Sequence, residues 1–170
     1  LARVLPLVRG AVGLGVPISV DTYKPEVMQA VLDLGADIVN DIWALRQPGS
    51  AQVVARHPRC GVCLMHMQGE PETMQQRPQY GNIIAEVEAF FRERLAVCAA
   101  AGIPASRIVL DPGFGFGKAL EHNLKLFREL GSLAIEGLPL FIGVSRKTML
   151  GAITGRPVDQ RLAHAFLDRR

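Results

Sequence analysis

Five short apolar runs, each followed by a helical stretch, limit what this chain can become more than any other feature of it. The runs lie at 16–21, 37–42, 61–66, 108–111 and 138–144. They are almost continuously apolar, not alternating. A strand reads that way when both of its faces are buried, as in a parallel sheet. Strand and helix in strict alternation give an α/β fold. Pro25 opens a helix at its first turn, with Thr22 or Lys24 near the cap and Gly35 at its end. Within it Val27, Val31, Leu32 and Leu34 fall largely on one face. Further helices are expected at 50–56, from Asn82 to about Ala101, over 120–130, over 146–151 and from Asp159 onward. The stripe Ile83, Val87, Phe90, Phe91 and Leu95 marks the buried face of the second of these. No linker or shift of composition divides the chain, so 1–170 reads as one domain.

Two α/β architectures compete. A doubly wound nucleotide-binding sheet carries a glycine-rich turn after its first strand. Here that strand ends Asp21-Thr-Tyr-Lys-Pro25, without such a turn. A barrel instead places its chemistry at the C-terminal ends of several strands, and polar residues end nearly every run. A closed barrel takes eight strands and about 250 residues. Five strands in 170 residues therefore mean either an open sheet or a barrel lacking three units.

Composition narrows the function. Hydrophobic residues make up 49% and aromatic ones 6%, so the core is aliphatic. The net charge of +3 is scattered, and no basic run is long enough to follow a nucleic-acid backbone. No apolar run reaches the ~18 residues of a membrane span, and no signal segment is visible. Three cysteines, Cys60, Cys63 and Cys98, fit a reduced, cytoplasmic protein. Cys60 and Cys63 have redox-pair spacing. Cys63, however, falls inside an apolar strand, which favours plain buried thiols. Leu1 stands where a Met would be expected, inside what reads as a helix, a first hint of a missing N-terminus.

The strand ends carry the candidate chemistry. Asp21 precedes a helix and reads as a ligand contact or a turn residue. Asn40 ends an apolar strand, so its amide needs a partner, from a loop or from a ligand. Asp41 reads as the turn partner of the loop that follows. The stretch Asp111-Pro-Gly-Phe-Gly-Phe-Gly-Lys118 is more specific. Its glycines allow positive φ and close backbone approach, and Phe114 or Phe116 covers a pocket. A P-loop is excluded, because Pro112 stands where its first glycine belongs and Ala119 where its hydroxyl belongs. Ser145-Arg-Lys-Thr148 follows the last run and opens a helix, where free N–H groups attract anions. Gly143 and Gly151 suggest close backbone approach there. Lys147 beside two carboxylates would balance their charge. His66 reads as structural, and His57, His122 and His164 show no metal spacing. Met65 and Met67 wall a pocket or belong to the core.

Taken in order, Ile18-Ser-Val-Asp-Thr22, Val39-Asn-Asp-Ile42, Leu64-Met-His-Met-Gln-Gly69, Leu110 to Lys118 and Gly143-Val-Ser-Arg-Lys147 resemble the dihydropteroate synthase family. The resemblance runs from Leu1 to about Leu162. It implies an incomplete (β/α)8 TIM barrel of about five parallel strands, lacking the first two strands and the last. It implies a transferase of folate synthesis, joining 6-hydroxymethyl-7,8-dihydropterin diphosphate to p-aminobenzoate with release of pyrophosphate, and a sulfonamide target. By resemblance, Asp21, Asn40 and Asp111 hold the pterin, Met65 and Gly143 line its pocket, and Asp21 and Lys147 are catalytic. Phe116, Ser145, Arg146, Lys147 and Thr148 border the p-aminobenzoate side. The family uses Mg2+, and the Asn that binds it is missing here. An Arg and a His of the eighth strand, which would take the diphosphate, are missing as well, and His164 to Arg170 depart from the family's usual helix. The full-length family protein is commonly a homodimer. The expectation for 170 residues alone is an unstable, inactive chain with a recognisable pterin pocket. Two other readings stand beside it, a pterin-binding methyltransferase barrel without the Ser-Arg-Lys turn and a non-catalytic remnant.

Overall fold

A computed structural model of the protein describes residues 1–70, 74, 78–133, 135 and 137–161. Its centre is a parallel sheet of four strands in sequential order: β1 (Ser19–Asp21), β2 (Ile38–Asp41), β3 (Gly61–Met65) and β4 (Ile108–Asp111). Helices α1 (Leu5–Ala11), α2 (Pro25–Asp33), α3 (Ser50–Arg56), α4 (Ile83–Ala100), α5 (Leu120–Arg128) and α6 (Thr148–Thr154) surround it. Sequential order decides between the two architectures. Right-handed crossovers between successive neighbours put every helix on the same face, which makes an arc of a barrel. A doubly wound sheet reverses its strand order and covers both faces.

Local chemistry sets the boundaries. β1 is shorter than the run 16–21 because Pro17 has no N–H to pair, and the N–H of Ile18 donates instead to the Asp37 carboxylate at 2.8 Å. Asn82 caps α4 as expected, its side chain accepting from the N–H groups of Ile84 and Ala85 at 3.2 and 3.4 Å. Glu86 closes the other half, accepting from the Asn82 N–H at 3.0 Å. α6 starts two residues later than expected, because Arg146 takes a positive φ of 60° and Lys147 is extended. From Asp159 the described chain forms only a 3-10 turn, Val158–Gln160. Residues 162–170, including His164, lie outside the described residues.

The fifth expected strand is a single parallel bridge, Leu110 to Leu140. Two bonds make it, from Leu110 N–H to Pro139 at 3.0 Å and from Phe141 N–H to Leu110 at 2.8 Å. The next bond on one side would need an N–H from Pro112, and the next on the other side one from Pro139. Neither proline has one, so the ladder stops after one rung.

Strand register assigns the faces. Val20, Val39, Val62 and Ile108 pair in a row, as do Leu64 and Leu110. All six are buried, with Met28 and Val31 of α2, Val54 of α3, Val87 and Phe91 of α4 and Leu126 of α5 in the same cluster. This is the helix-covered face. Side chains alternate along a strand, so the intervening residues point the other way, toward what is the interior in a closed barrel.

Candidate functional site

The inward face carries the polar strand-end residues. Asp21 pairs in register with Asn40, Asn40 with Cys63, and Met65 with Asp111. Parity puts all five on one face at the C-terminal end of the sheet. Asp111 is 6% exposed, and burial pushes its carboxyl above the ordinary range. The Gly113 N–H at 2.7 Å and the charges of Lys147 and Lys118 oppose that rise. Asp21, at the sheet edge, is exposed, and partial burial also raises its carboxyl. The Asn40 amide donates to Asp21 at 3.5 Å, while its carbonyl oxygen is buried without a partner. Cys63 lies between Asp21 and Asp111 on the same face. Its thiol is pushed up to about 12 by burial and then by the charges of Asp111, Asp21 and Asp41 together.

Asp41 lies on the opposite face, fully buried, and acts as the expected turn partner. Its two oxygens accept from the N–H groups of Trp43 at 2.8 Å and Leu45 at 2.7 Å. They hold Ala44 and Leu45 at positive φ. Burial is the main cause that raises its carboxyl to about 6. The loop so formed stacks Trp43 on Tyr23, centroids 5.4 Å apart, next to Asp21.

The glycine loop divides its two phenylalanines. Phe114 is fully buried, edge to face with Phe127 at 5.9 Å. Phe116 stays half-buried and carries the Lys147 ammonium 4.4 Å above its ring. Lys147 also donates to the Phe114 carbonyl. Burial lowers its ammonium, and Asp111 raises it. Phe116, Lys147, Arg146 and Thr148 border a cavity of about 630 Å³ with Gly115 and Asn123.

Ser145 is exposed and does not border that cavity. Gly143 departs from expectation, since a Cβ there would meet nothing within 4 Å and no close approach requires the glycine. At Gly151 the approach is real, but it comes from the Arg161 guanidinium. Arg161 also donates to the Arg146 and Lys147 carbonyls at 3.3 and 3.5 Å. Sequence reasoning passed over Arg161, and also Asn123, whose buried amide accepts from the Gly115 N–H at 2.8 Å. Asn123 three residues into α5 was the signal available for it.

The other sequence readings fall into place around this site. Cys60 lies just before β3 and Cys63 within it, both as free buried thiols, as the plain buried-thiol reading expects. All three thiols are free and buried, and burial raises each of them. His66 is structural, 5% exposed and driven down to about 2, chiefly by burial and then by Lys118. Among the described residues no three His, Cys, Asp or Glu side chains gather where they could hold a metal ion. Among the same residues no helix is long and apolar enough to cross a membrane.

The family described as pterin binding enzymes matches residues 1–167. Dihydropteroate synthase of Neisseria meningitidis serogroup C is 50% identical over 156 residues, covering 91% of this chain and 55% of the relative. That of Escherichia coli K12 is 46% identical over 164 residues, covering 96% and 58%. Among solved structures, Yersinia pestis dihydropteroate synthase with a sulfonamide drug complex superposes with a TM-score of 0.92 at 41% identity, covering 96% of this chain and 59% of that one. The Burkholderia cenocepacia enzyme complexed with 7,8-dihydropteroate gives 0.89 at 46%, covering 96% and 61%. The chain thus spans a little over half the length of the relatives it matches.

Proposed function

The chain belongs to the family of pterin binding enzymes, and from that premise we propose that its inward face holds a dihydropterin for dihydropteroate synthesis. The pterin ring presents an edge of neighbouring N–H donors, which a carboxylate accepts in pairs. Asp111 is the buried carboxylate suited to that edge. The Gly113 N–H takes one of its oxygens and leaves the rest of its accepting capacity free. The orphaned Asn40 carbonyl oxygen carries the proposal. A buried acceptor without a partner costs free energy, and an N–H of a ring lying across Asp21, Asn40 and Asp111 would satisfy it.

The chemistry follows from the charges. The bond between the pterin methylene carbon and the diphosphate oxygen breaks, and its electron pair leaves with the diphosphate. Positive charge develops on the methylene. Asp21 stabilises it electrostatically from the sheet edge. The amine of p-aminobenzoate forms the new carbon–nitrogen bond and loses a proton to solvent. Phe116 and Lys147 border the approach of the amine, with Arg146 and Thr148 on the side of its carboxylate. The relatives include one with a sulfonamide drug, so a sulfonamide is expected to compete on that side. The buried thiols support a reducing compartment such as the cytoplasm. Phe127 and Ile153, exposed on α5 and α6, support a homodimer of the whole protein.

Titration calorimetry with 6-hydroxymethyl-7,8-dihydropterin tests the reading. Saturable binding is expected in wild type. Asp21→Asn should weaken dihydropterin little but abolish pteroate formation wherever wild type shows it. Failure of wild type to bind the dihydropterin would overturn the assignment.

A further inference from the structure

Lys118 closes the glycine loop and is only 3% exposed. A buried ammonium is ordinarily paired with a carboxylate. This one is set among neutral acceptors: His66 Nδ1 at 2.9 Å, the His66 carbonyl at 3.2 Å, the Gly113 carbonyl at 2.9 Å and the Phe116 carbonyl at 3.0 Å. Its three N–H groups thus serve four acceptors. They join both ends of the glycine loop to the end of β3. The loop lies directly on that segment. A Cβ at Gly113 would overlap the His66 carbonyl oxygen, and one at Gly117 would overlap the Gln68 backbone. Both glycines also hold positive φ, 69° and 58°.

The link to the ligand side is one residue long. Lys118 holds the carbonyl of Gly113, and the N–H of Gly113 holds the Asp111 carboxylate. Other side chains tie down the rest of the loop. Lys147 takes the Phe114 carbonyl, and the Tyr80 hydroxyl donates to the Gly117 carbonyl at 2.7 Å. Asn123 holds the Gly115 N–H. Lys118 hydrogen-bonds both the loop and His66 at the end of the strand beneath it. We propose that Lys118 is the positioning residue of this site: its buried ammonium locks the glycine loop onto His66 and so aims the Asp111 carboxylate at the ligand.

The lock has two protonation forms near neutral pH. Burial brings the Lys118 ammonium down to about 7, against the pull of Asp111 and with the repulsion of Lys147. The other groups around it are neutral His66, on which the charge of Arg46 also acts, and Tyr80 with its edge-on neighbour His122. A neutral amine has two N–H groups for the same four acceptors, so the link between the loop and His66 loses one donor. The global sign is opposite. A lysine whose folded value is lowered binds fewer protons in the fold, so its contribution to global stability rises with pH between about 7 and 10.5. Loosening of the loop without loss of the fold is therefore the signature.

The ligand arm of the test rests on the proposed function, and the loop arm does not. Hydrogen exchange of residues 111–118, corrected for intrinsic rate, is measured on the free chain at pH 6 and 8.5, with dihydropterin affinity by calorimetry at both. In K118M, loop protection and dihydropterin affinity are each expected to fall about tenfold, the loss of one charge-assisted hydrogen bond. Protection of β2 and β3 should persist. K118Q, which donates but does not titrate in this range, should restore part of both and flatten the wild-type decline toward pH 8.5. Unchanged loop protection in K118M, or a wild-type pH profile surviving in K118Q, overturns the proposal. If K118M loses the whole sheet, K118Q and the wild-type profile decide by the same criteria. Wild type that binds no dihydropterin refutes the functional reading, while loop protection still decides the lock.

Discussion

The two faces of the four-stranded sheet are made from the same strands and obey different rules. Val20, Val39, Val62, Leu64 and Leu110 face the helices and are all buried. One residue along, Asp21, Asn40, Cys63, Met65 and Asp111 face inward. The first face is chosen for volume and greasiness, the second for hydrogen bonding and charge. On the first face the one acid, Asp41, brings its own partners by capping its loop. On the second, Asn40 keeps a buried carbonyl oxygen without a partner. The proposed dihydropterin would supply one.

Substitutions on neighbouring residues sharpen this contrast. Leu110→Ala, on the helix face, should cost about 2–5 kcal/mol in urea denaturation, the sum of lost burial and a cavity. Dihydropterin affinity in the folded fraction should hold. Asp111→Asn, one residue on, should do the reverse. Dihydropterin affinity measured by calorimetry should fall roughly 10- to 100-fold, as expected for hydrogen bonds to a charged group. Stability at pH 7 should not fall by more than about 1 kcal/mol, because burial already disfavours the charged form. A large stability loss in Asp111→Asn would erase the distinction between the faces.

The smallest expected effect concerns Asp41, the carboxylate on the helix face. Its folded value is raised from 3.8 to about 6, so the fold binds the proton more tightly than the unfolded chain. Its contribution to stability is therefore full below about 4, declines as pH rises to about 6 and is flat above. Urea denaturation at pH 4.5 and 7 should show Asp41→Asn removing a slope on the order of 1 kcal/mol. An unchanged slope would assign the pH dependence to other carboxylates.

Much of this was legible along the chain. Both-face burial writes parallel strands as continuous apolar runs, so four of the five runs became strands near their expected bounds. Acids at the ends of apolar runs stood out, because an apolar strand offers an acid nothing to bond. The fifth run was misread for a reason that needs a partner to be seen. Pro112 and Pro139 stop the ladder only because Leu110 and Leu140 lie side by side. Gly143 was read as a close approach, and nothing approaches it. The converse error was Lys118, which in sequence was no more than the end of a failed phosphate motif.

Residue order alone determined the α/β class, the strand ends that carry chemistry and the aliphatic core, because periodicity and residue type are local properties. Tertiary structure alone decided which phenylalanine is core and which borders a cavity. It decided that Cys60 and Cys63 stay buried as free thiols, and that one lysine binds a loop to a distant strand. Those outcomes depend on which groups from remote segments meet within hydrogen-bonding or van der Waals reach. Such short-range forces have no representation in the chain until it folds.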